Sequence, residues 1–263
     1  MVLLINIGNT SVAVGGCEGE TILFTGSCES NLRRTEDEYA LTVKGILELN
    51  GHRPEEVEGG ILSTVVPELG KVVGRAMERL TGRKFLQVGS GIRTGLNIRM
   101  DHPAQLGSDL VANAVAANAK YPKPLVIFYL GTATTLSVLD GTGNYLGGMI
   151  IPGVQTSLNA LSAQAAQLPE IPVTMPQRVI GRNTVECMQS GTIYGCAAML
   201  DGLLDRVEEE LQKPVTAVAT GRMIDMVLPA CRRTILPEPN LSLEGLRLLY
   251  QRNLQPRQPR RKG

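Results

Sequence analysis

Two short stretches of this chain have the residue types to cradle a phosphate. The first is Leu3-Leu4-Ile5-Asn6-Ile7-Gly8-Asn9-Thr10, continuing into Ser11. The second is Val126-Ile127-Phe128-Tyr129-Leu130-Gly131-Thr132-Ala133-Thr134-Thr135. Each reads as an apolar strand ending in a glycine turn rich in hydroxyl side chains. Glycine lets the backbone bend and come close to a ligand, and the following N–H groups and Thr hydroxyls can donate to phosphate oxygens. Aligning Gly8 with Gly131 also aligns Asn6 with Tyr129, so neither turn has an acid two residues upstream. The alignment implies a duplicated strand-turn-strand unit around one phosphate-binding cleft.

Between the turns lies Gly107-Ser108-Asp109-Leu110, followed by Asn113-Ala114-Val115-Ala116-Ala117. A carboxylate there can accept a proton from an alcohol. It can also cap a helix beginning near Leu110, and the two roles are compatible. Thr184, in Gly181-Arg182-Asn183-Thr184, is readable as the N-cap of a helix after Val185.

The elements that must position these residues follow from local pattern. Strands are expected at Val2 to Ile7, Ser11 to Val14 and Thr21 to Thr25, with Gly15-Gly16-Cys17-Glu18-Gly19 as a turn. Thr35-Glu36-Asp37-Glu38 matches a capping box ahead of the helically spaced Tyr39, Val43, Ile46 and Leu47, and Gly51 closes that helix. A buried strand from Gly60 to Val65 and a helix over about 68–81 complete the first half. The second half repeats the scheme with strands at Leu125 to Tyr129, Thr135 to Leu139 and Tyr145 to Ile150. Helices over roughly 153–166, 184–212 and 221–230 follow, with a strand at Val215 to Ala219. The expected organisation is a first half over 1–118, a second over 119–250, and a basic tail over 251–263 that reads as disordered.

Composition narrows the function. At 263 residues, with 43% hydrophobic and 19% charged residues, the chain can bury a full core. A net charge of +1 gives no general argument for nucleic acid or membrane, the basic tail notwithstanding. With no Trp and only three Phe and six Tyr, an aromatic platform for bases is not expected. The first residues lack the basic region and cleavage site of a signal peptide. No apolar run reaches the roughly 18–20 residues of a membrane span. The five cysteines, without a Cys-x-x-Cys pair, read as reduced packing thiols in a cytoplasmic protein.

These residues resemble the type III pantothenate kinase family of the actin, Hsp70 and sugar-kinase superfamily. The likeness runs from Leu3 to about Gly221 and rests on both turns, on Gly107-Ser108-Asp109, on Gly147-Gly148-Met149-Ile150-Ile151-Pro152-Gly153 and on Gly181-Arg182-Asn183-Thr184. It implies an α/β fold of two actin-like (ribonuclease H-like) βββαβα domains around a central cleft, and a cytoplasmic homodimer. The implied reaction is transfer of phosphate from ATP to pantothenate, giving 4′-phosphopantothenate at the first step of coenzyme A biosynthesis. In the same terms Asp109 is the base. Asn6, Ile7, Gly8, Asn9, Thr10, Ser11, Gly131, Thr132, Thr134 and Gly221 would meet ATP. Met100, Gly107, Ser108, Asp109, Leu110 and Thr184 would meet the substrate, Thr184 reaching that of the neighbouring subunit.

Five positions depart from the family pattern. Asn6 and Tyr129 stand where the family has aspartates near Mg-ATP and near a monovalent cation such as K⁺. Leu110 replaces an arginine that meets the pantothenate carboxylate, and Met100 a common tyrosine. Arg222 replaces the second glycine of a pair near the adenine. Asparagine lacks the charge that favours a hard divalent cation, and a phenol is neutral at pH 7. The expectation is therefore weakened Mg²⁺ and a lost K⁺ site. Two other readings stay open: a non-catalytic nucleotide- or metabolite-binding regulator or partner subunit, and a kinase for a neutral, pantetheine-like alcohol.

Overall fold

The computed structural model describes residues 1–254 and divides the chain into two compact units. The first comprises 1–95, 102–116 and the segment from Leu241 onward, and the second 96–101 and 117–240.

In the first unit, β1 (Val2–Ile7), β2 (Ser11–Glu18) and β3 (Thr21–Glu29) form an antiparallel meander. Then come α1 (Glu36–Leu49), β4 (Gly59–Thr64), α2 (Pro67–Thr81) and a short β5 (Phe85–Gln87). The sheet order is β3-β2-β1-β4-β5, with β4 parallel to β1 and β5 parallel to β4. Leu3, Ile5 and Ile7 of β1 and Val12 and Val14 of β2 meet Tyr39, Val43 and Leu47 of α1 and Val73 and Met77 of α2 in one aliphatic core. The capping box is present: the Thr35 hydroxyl accepts from the Glu38 amide, and the Glu38 carboxylate accepts from the Thr35 amide.

The second unit repeats this order after α3 (Ser108–Lys120), whose first turns belong to the first unit. The meander is β6 (Leu125–Leu130), β7 (Ala133–Leu139) and β8 (Tyr145–Pro152). It is followed by α4 (Val154–Gln164), α5 (Thr184–Leu211), β9 (Thr216–Thr220), a one-turn α6 (Ile224–Val227) and β10 (Leu236–Pro237). The order β8-β7-β6-β9-β10 reproduces that of the first sheet strand for strand. Its own core joins Val126, Phe128 and Leu130 to Ile193, Leu200 and Leu204 of α5.

Three expectations change. The turn expected at 15–19 is shorter: β2 continues to Glu18, and the chain turns at Gly19 and Glu20, with Gly19 at φ +56°. A Cβ on Gly16 would lie 2.3 Å from the Phe24 ring, so glycine here makes room on the sheet surface beside an irregularity between Gly16 and Cys17. The helix expected over 221–230 shrinks to α6 and a 3₁₀ turn at Leu228–Ala230. The chain then returns to the first unit as α7 (Leu241–Leu254).

That last helix has no counterpart in the sequence reading. Leu241, Leu243, Leu246 and Leu249 are buried, and Gly245 passes so close to α3 that a Cβ there would sit 1.9 Å from the Ala112 carbonyl oxygen. Residues 251–254, expected to open a disordered tail, form its final turn. There the Gln251 amide donates to the Gly19 carbonyl at 2.8 Å. The rest of the expected tail lies outside the described residues.

Candidate functional site

The two glycine turns occupy equivalent places, each following the central strand of its sheet, and each is described within its own unit. After β1, the Gly8 amide donates to the Ser11 carbonyl at 2.9 Å. The Ser30 hydroxyl donates to the Gly8 carbonyl at 2.7 Å, and the Ser30 amide to Thr10 at 3.1 Å. The loop is thus held from β3 while Asn9 and Thr10 stay exposed. Ile7 is buried and Ser11 starts β2.

Asn6 is only 7% exposed, and its Oδ1 accepts a hydrogen bond from Ser63 Oγ at 2.5 Å. Parallel pairing of β1 and β4 sets this up, since Asn6 lies opposite Ser63 and Ile7 opposite Thr64.

The same strand end holds the segment carrying Asp109. Ser108 Oγ donates to the Thr64 carbonyl at 2.8 Å and accepts from the Thr64 amide at 3.0 Å. This two-bond clamp anchors the start of α3 to the end of β4, one strand from the first turn. Asp109 Oδ1 accepts from the Leu110 amide at 2.9 Å, meeting one of the unpaired donors of the helix start. Helix α3 begins at Ser108, so Asp109 lies inside its first turn rather than ahead of it. A Cβ on Gly107 would come within 2.7 Å of Asp109 Oδ1, so a glycine at 107 keeps that carboxylate unobstructed. Burial pushes the Asp109 carboxyl above its ordinary range, against the lowering effect of the Leu110 and Asp109 amides. A half-buried carboxylate with a raised pKa is a stronger base than an exposed one.

In the second unit, the Gly131 amide donates to the Ala133 carbonyl at 3.2 Å, and the Thr132 carbonyl accepts from the Gly153 amide at 3.1 Å and from Thr156 Oγ1 at 2.7 Å. The start of α4 therefore buttresses the turn. At the end of β9, Gly221 adopts φ +103°, where a Cβ would be 2.6 Å from the Leu130 carbonyl oxygen, so only glycine suits this position. Arg222 beside it is exposed. The hydroxyls of Thr134 and Thr135 are buried without a hydrogen-bond partner among the described residues. Orphaned donors at a glycine turn fit a site whose remaining partner is a ligand.

Tyr129 changes this half. Its ring lies against Gly131, where a Cβ would be 2.4 Å from Tyr129 Cε1. An aromatic ring at this position offers a cation no carboxylate oxygen. Neither does Asn6 fit Mg²⁺ as a carboxylate would, since its oxygen is neutral and already accepts from Ser63.

Met100, half-buried, belongs to the second unit and Asp109 and Leu110 to the first, so the expected substrate residues are divided between the units. Thr184 is the first residue of α5. The cap is Asn183, whose side chain accepts from the Glu186 amide at 2.9 Å, which corrects the capping role expected of Thr184. Instead Thr184 lines an apolar groove of about 530 Å³ between α4 and α5, with Leu158, Leu161, Met188 and Cys196. Sequence reasoning missed Ser63, Ser30 and Thr156. Only Ser63 carried a signal, as a polar side chain inside the buried strand expected from Gly60 to Val65.

A sequence model of the type III pantothenate kinase family matches residues 2–206. The chain belongs to this family. It is 40% identical to a type III pantothenate kinase of Exiguobacterium sibiricum over 96% of this chain and 100% of that one. It is 39% identical to one of Brevibacillus brevis over 96% and 99%. Among solved structures, a protein described as a 2-dehydro-3-deoxygalactonokinase from Sinorhizobium meliloti aligns over the whole of both chains with a TM-score of 0.64 at 10% identity, a likeness of fold. The duplicated βββαβα fold is thus that of actin-like kinases, and membership brings with it a family defined by a kinase reaction. Among the described residues no helix is long and apolar enough to cross a membrane.

Proposed function

We propose that the protein is a phosphotransferase that moves the γ-phosphate of ATP to an alcohol, with pantothenate, the substrate named for its relatives, as lead acceptor. The observation that carries this reading is the Ser108–Thr64 clamp, which holds Asp109 at the strand end beside the first glycine turn. Asp109 takes the proton of the acceptor hydroxyl as its oxygen attacks the phosphorus. The amides and hydroxyls at Gly8 to Ser11 and at Gly131, Thr132 and Thr134 bind the phosphates, and Gly221 leaves room for the base of the nucleotide. In such transfers the protein supplies position and charge stabilisation.

Leu110 and Met100 favour a second reading of the acceptor. Neither can pair with a carboxylate, so a neutral alcohol with an amide end, such as a pantetheine-like molecule, suits this pocket better.

The reading includes a cytoplasmic homodimer. Its support is the groove between α4 and α5, lined by Leu158, Leu161, Met188 and Met199, in a unit that also exposes the apolar side chains of Ile150, Val179, Ile180 and Val185. A second copy is the occupant proposed, and light scattering on a size-exclusion column tests it.

The deciding experiment is phosphoryl transfer from ATP to pantothenate and to a pantothenamide, with wild type beside Asp109→Asn. Transfer that falls by about 10²–10⁴ in the variant supports a base at 109. No transfer to either acceptor, with nucleotide still bound, favours the non-catalytic regulator.

A further inference from the structure

The departure at Asn6 is more than a lost charge, because Ser63 decides which end of the amide faces the turn. Ser63 is fully buried on β4, and its hydroxyl donates to Asn6 Oδ1 at 2.5 Å. If the amide were flipped, the serine proton would face an N–H₂ group and have no acceptor in a buried site, at the cost of an unsatisfied donor. The bond therefore holds Oδ1 toward β4 and leaves Nδ2 as the polar end available to the turn. The two strands are locked in register by backbone pairing of Asn6 with Ser63, so the orientation is built into the sheet.

We propose that Asn6, oriented by Ser63, presents an N–H donor to a phosphate oxygen, so that the first turn binds the metal-free triphosphate of a nucleotide at least as well as its Mg²⁺ complex. The proposal rests on the nucleotide-binding reading above. An N–H₂ group repels a cation and attracts an anionic oxygen, and the charge-assisted bond it forms is stronger than a neutral one. Magnesium requires hard oxygen ligands in near-octahedral array. Here the one side-chain oxygen at the position is committed to a serine. The free triphosphate carries two more negative charges than the magnesium complex, and a cradle built from donors favours the more anionic form. Ser63 acts as a positioning residue.

The test is calorimetric binding of a β,γ-imido ATP analogue to the full chain, once in excess EDTA and once in excess Mg²⁺. Wild type is expected to bind the metal-free analogue as tightly as the Mg²⁺ complex, or more tightly. Asn6→Asp, which puts an anionic oxygen where Nδ2 stood, should reverse the order, with Mg²⁺ tightening binding by about tenfold or more. Ser63→Ala frees the amide to turn and should shift the ratio of the two affinities toward the Mg²⁺ complex, a change that a purely structural serine would not produce. A wild-type preference for the Mg²⁺ complex overturns the proposal and leaves the kinase reading intact, as does an unchanged ratio in Asn6→Asp. Failure of wild type to bind the analogue in either condition overturns the nucleotide reading and this proposal together.

Discussion

The ring of Tyr129 rests on Gly131, so close that a single added carbon at residue 131 would lie 2.4 Å from Cε1. The contact joins the end of β6 to the residue that lets the chain bend, and it sets an aromatic ring rather than a carboxylate beside the turn. With Tyr129 in place, nucleotide binding should not respond to K⁺. Tyr129→Asp removes the ring and adds a carboxylate, so binding should become K⁺-dependent. Titrations in KCl and in tetramethylammonium chloride at equal ionic strength measure this, and a K⁺ response already present in wild type would contradict it.

Gly131→Ala should cost stability, because the added methyl meets the Tyr129 ring. Overpacking of this kind costs about 1–3 kcal/mol. Pairing it with Tyr129→Ala should recover much of the loss, and a double-mutant cycle by thermal unfolding reads the coupling.

Asp109 sets a pH dependence with opposite signs for activity and stability. Its carboxyl is held above the ordinary range by burial. A base must be ionised, so the acid limb of kcat/KM should lie above the ordinary carboxylate value of about 3.9. The folded state binds this proton more tightly than the unfolded state. Ionised Asp109 therefore lowers stability as pH rises through the window from the unfolded to the folded pKa, and the penalty persists at neutral pH. Asp109→Asn should slow transfer by about 10²–10⁴ yet raise the melting temperature at pH 7, while at pH 3 the two proteins should melt alike.

Leu110 leaves a pantothenate carboxylate without a cationic partner. A neutral pantothenamide should then compete at least as well as pantothenate for wild type. Leu110→Arg should shift the preference toward the acid by about 1.5–3 kcal/mol, the range for hydrogen bonds to charged groups. Tighter wild-type binding of pantothenate in competition titrations would sink this expectation.

Gly245 lets α7 lie against α3, with the Ala112 carbonyl 1.9 Å from the position of an added Cβ. Because that neighbour is backbone and cannot swing aside, Gly245→Ala should force the helices apart and destabilise the first unit by about 1–3 kcal/mol. Hydrogen exchange should show the loss in β1 and β4, with the second unit's sheet little changed.

The sequence by itself determined what depends on neighbours along the chain. Apolar runs of five or six residues ending in Gly8 and Gly131 make strand and turn, Thr35 with Glu38 makes a helix start, and repetition of the pattern makes two equivalent sheets. The turn expected at 15–19 shrank to its end at Gly19 because Gly16 serves where a neighbouring ring needs room, and that ring belongs to another strand. Helix α7 was invisible for a related reason: its leucines take meaning only from the first unit, which the chain rejoins after more than a hundred residues. The site shows the same division. Asp109 and the hydroxyls of both turns could be named from residue types, but the bond from Ser63 to Asn6 spans 57 positions and the clamp between Ser108 and Thr64 spans 44. Parallel register decides which side chains face each other across β1 and β4, and no local propensity encodes it. Whether residue 6 offers an oxygen or an N–H is a tertiary decision.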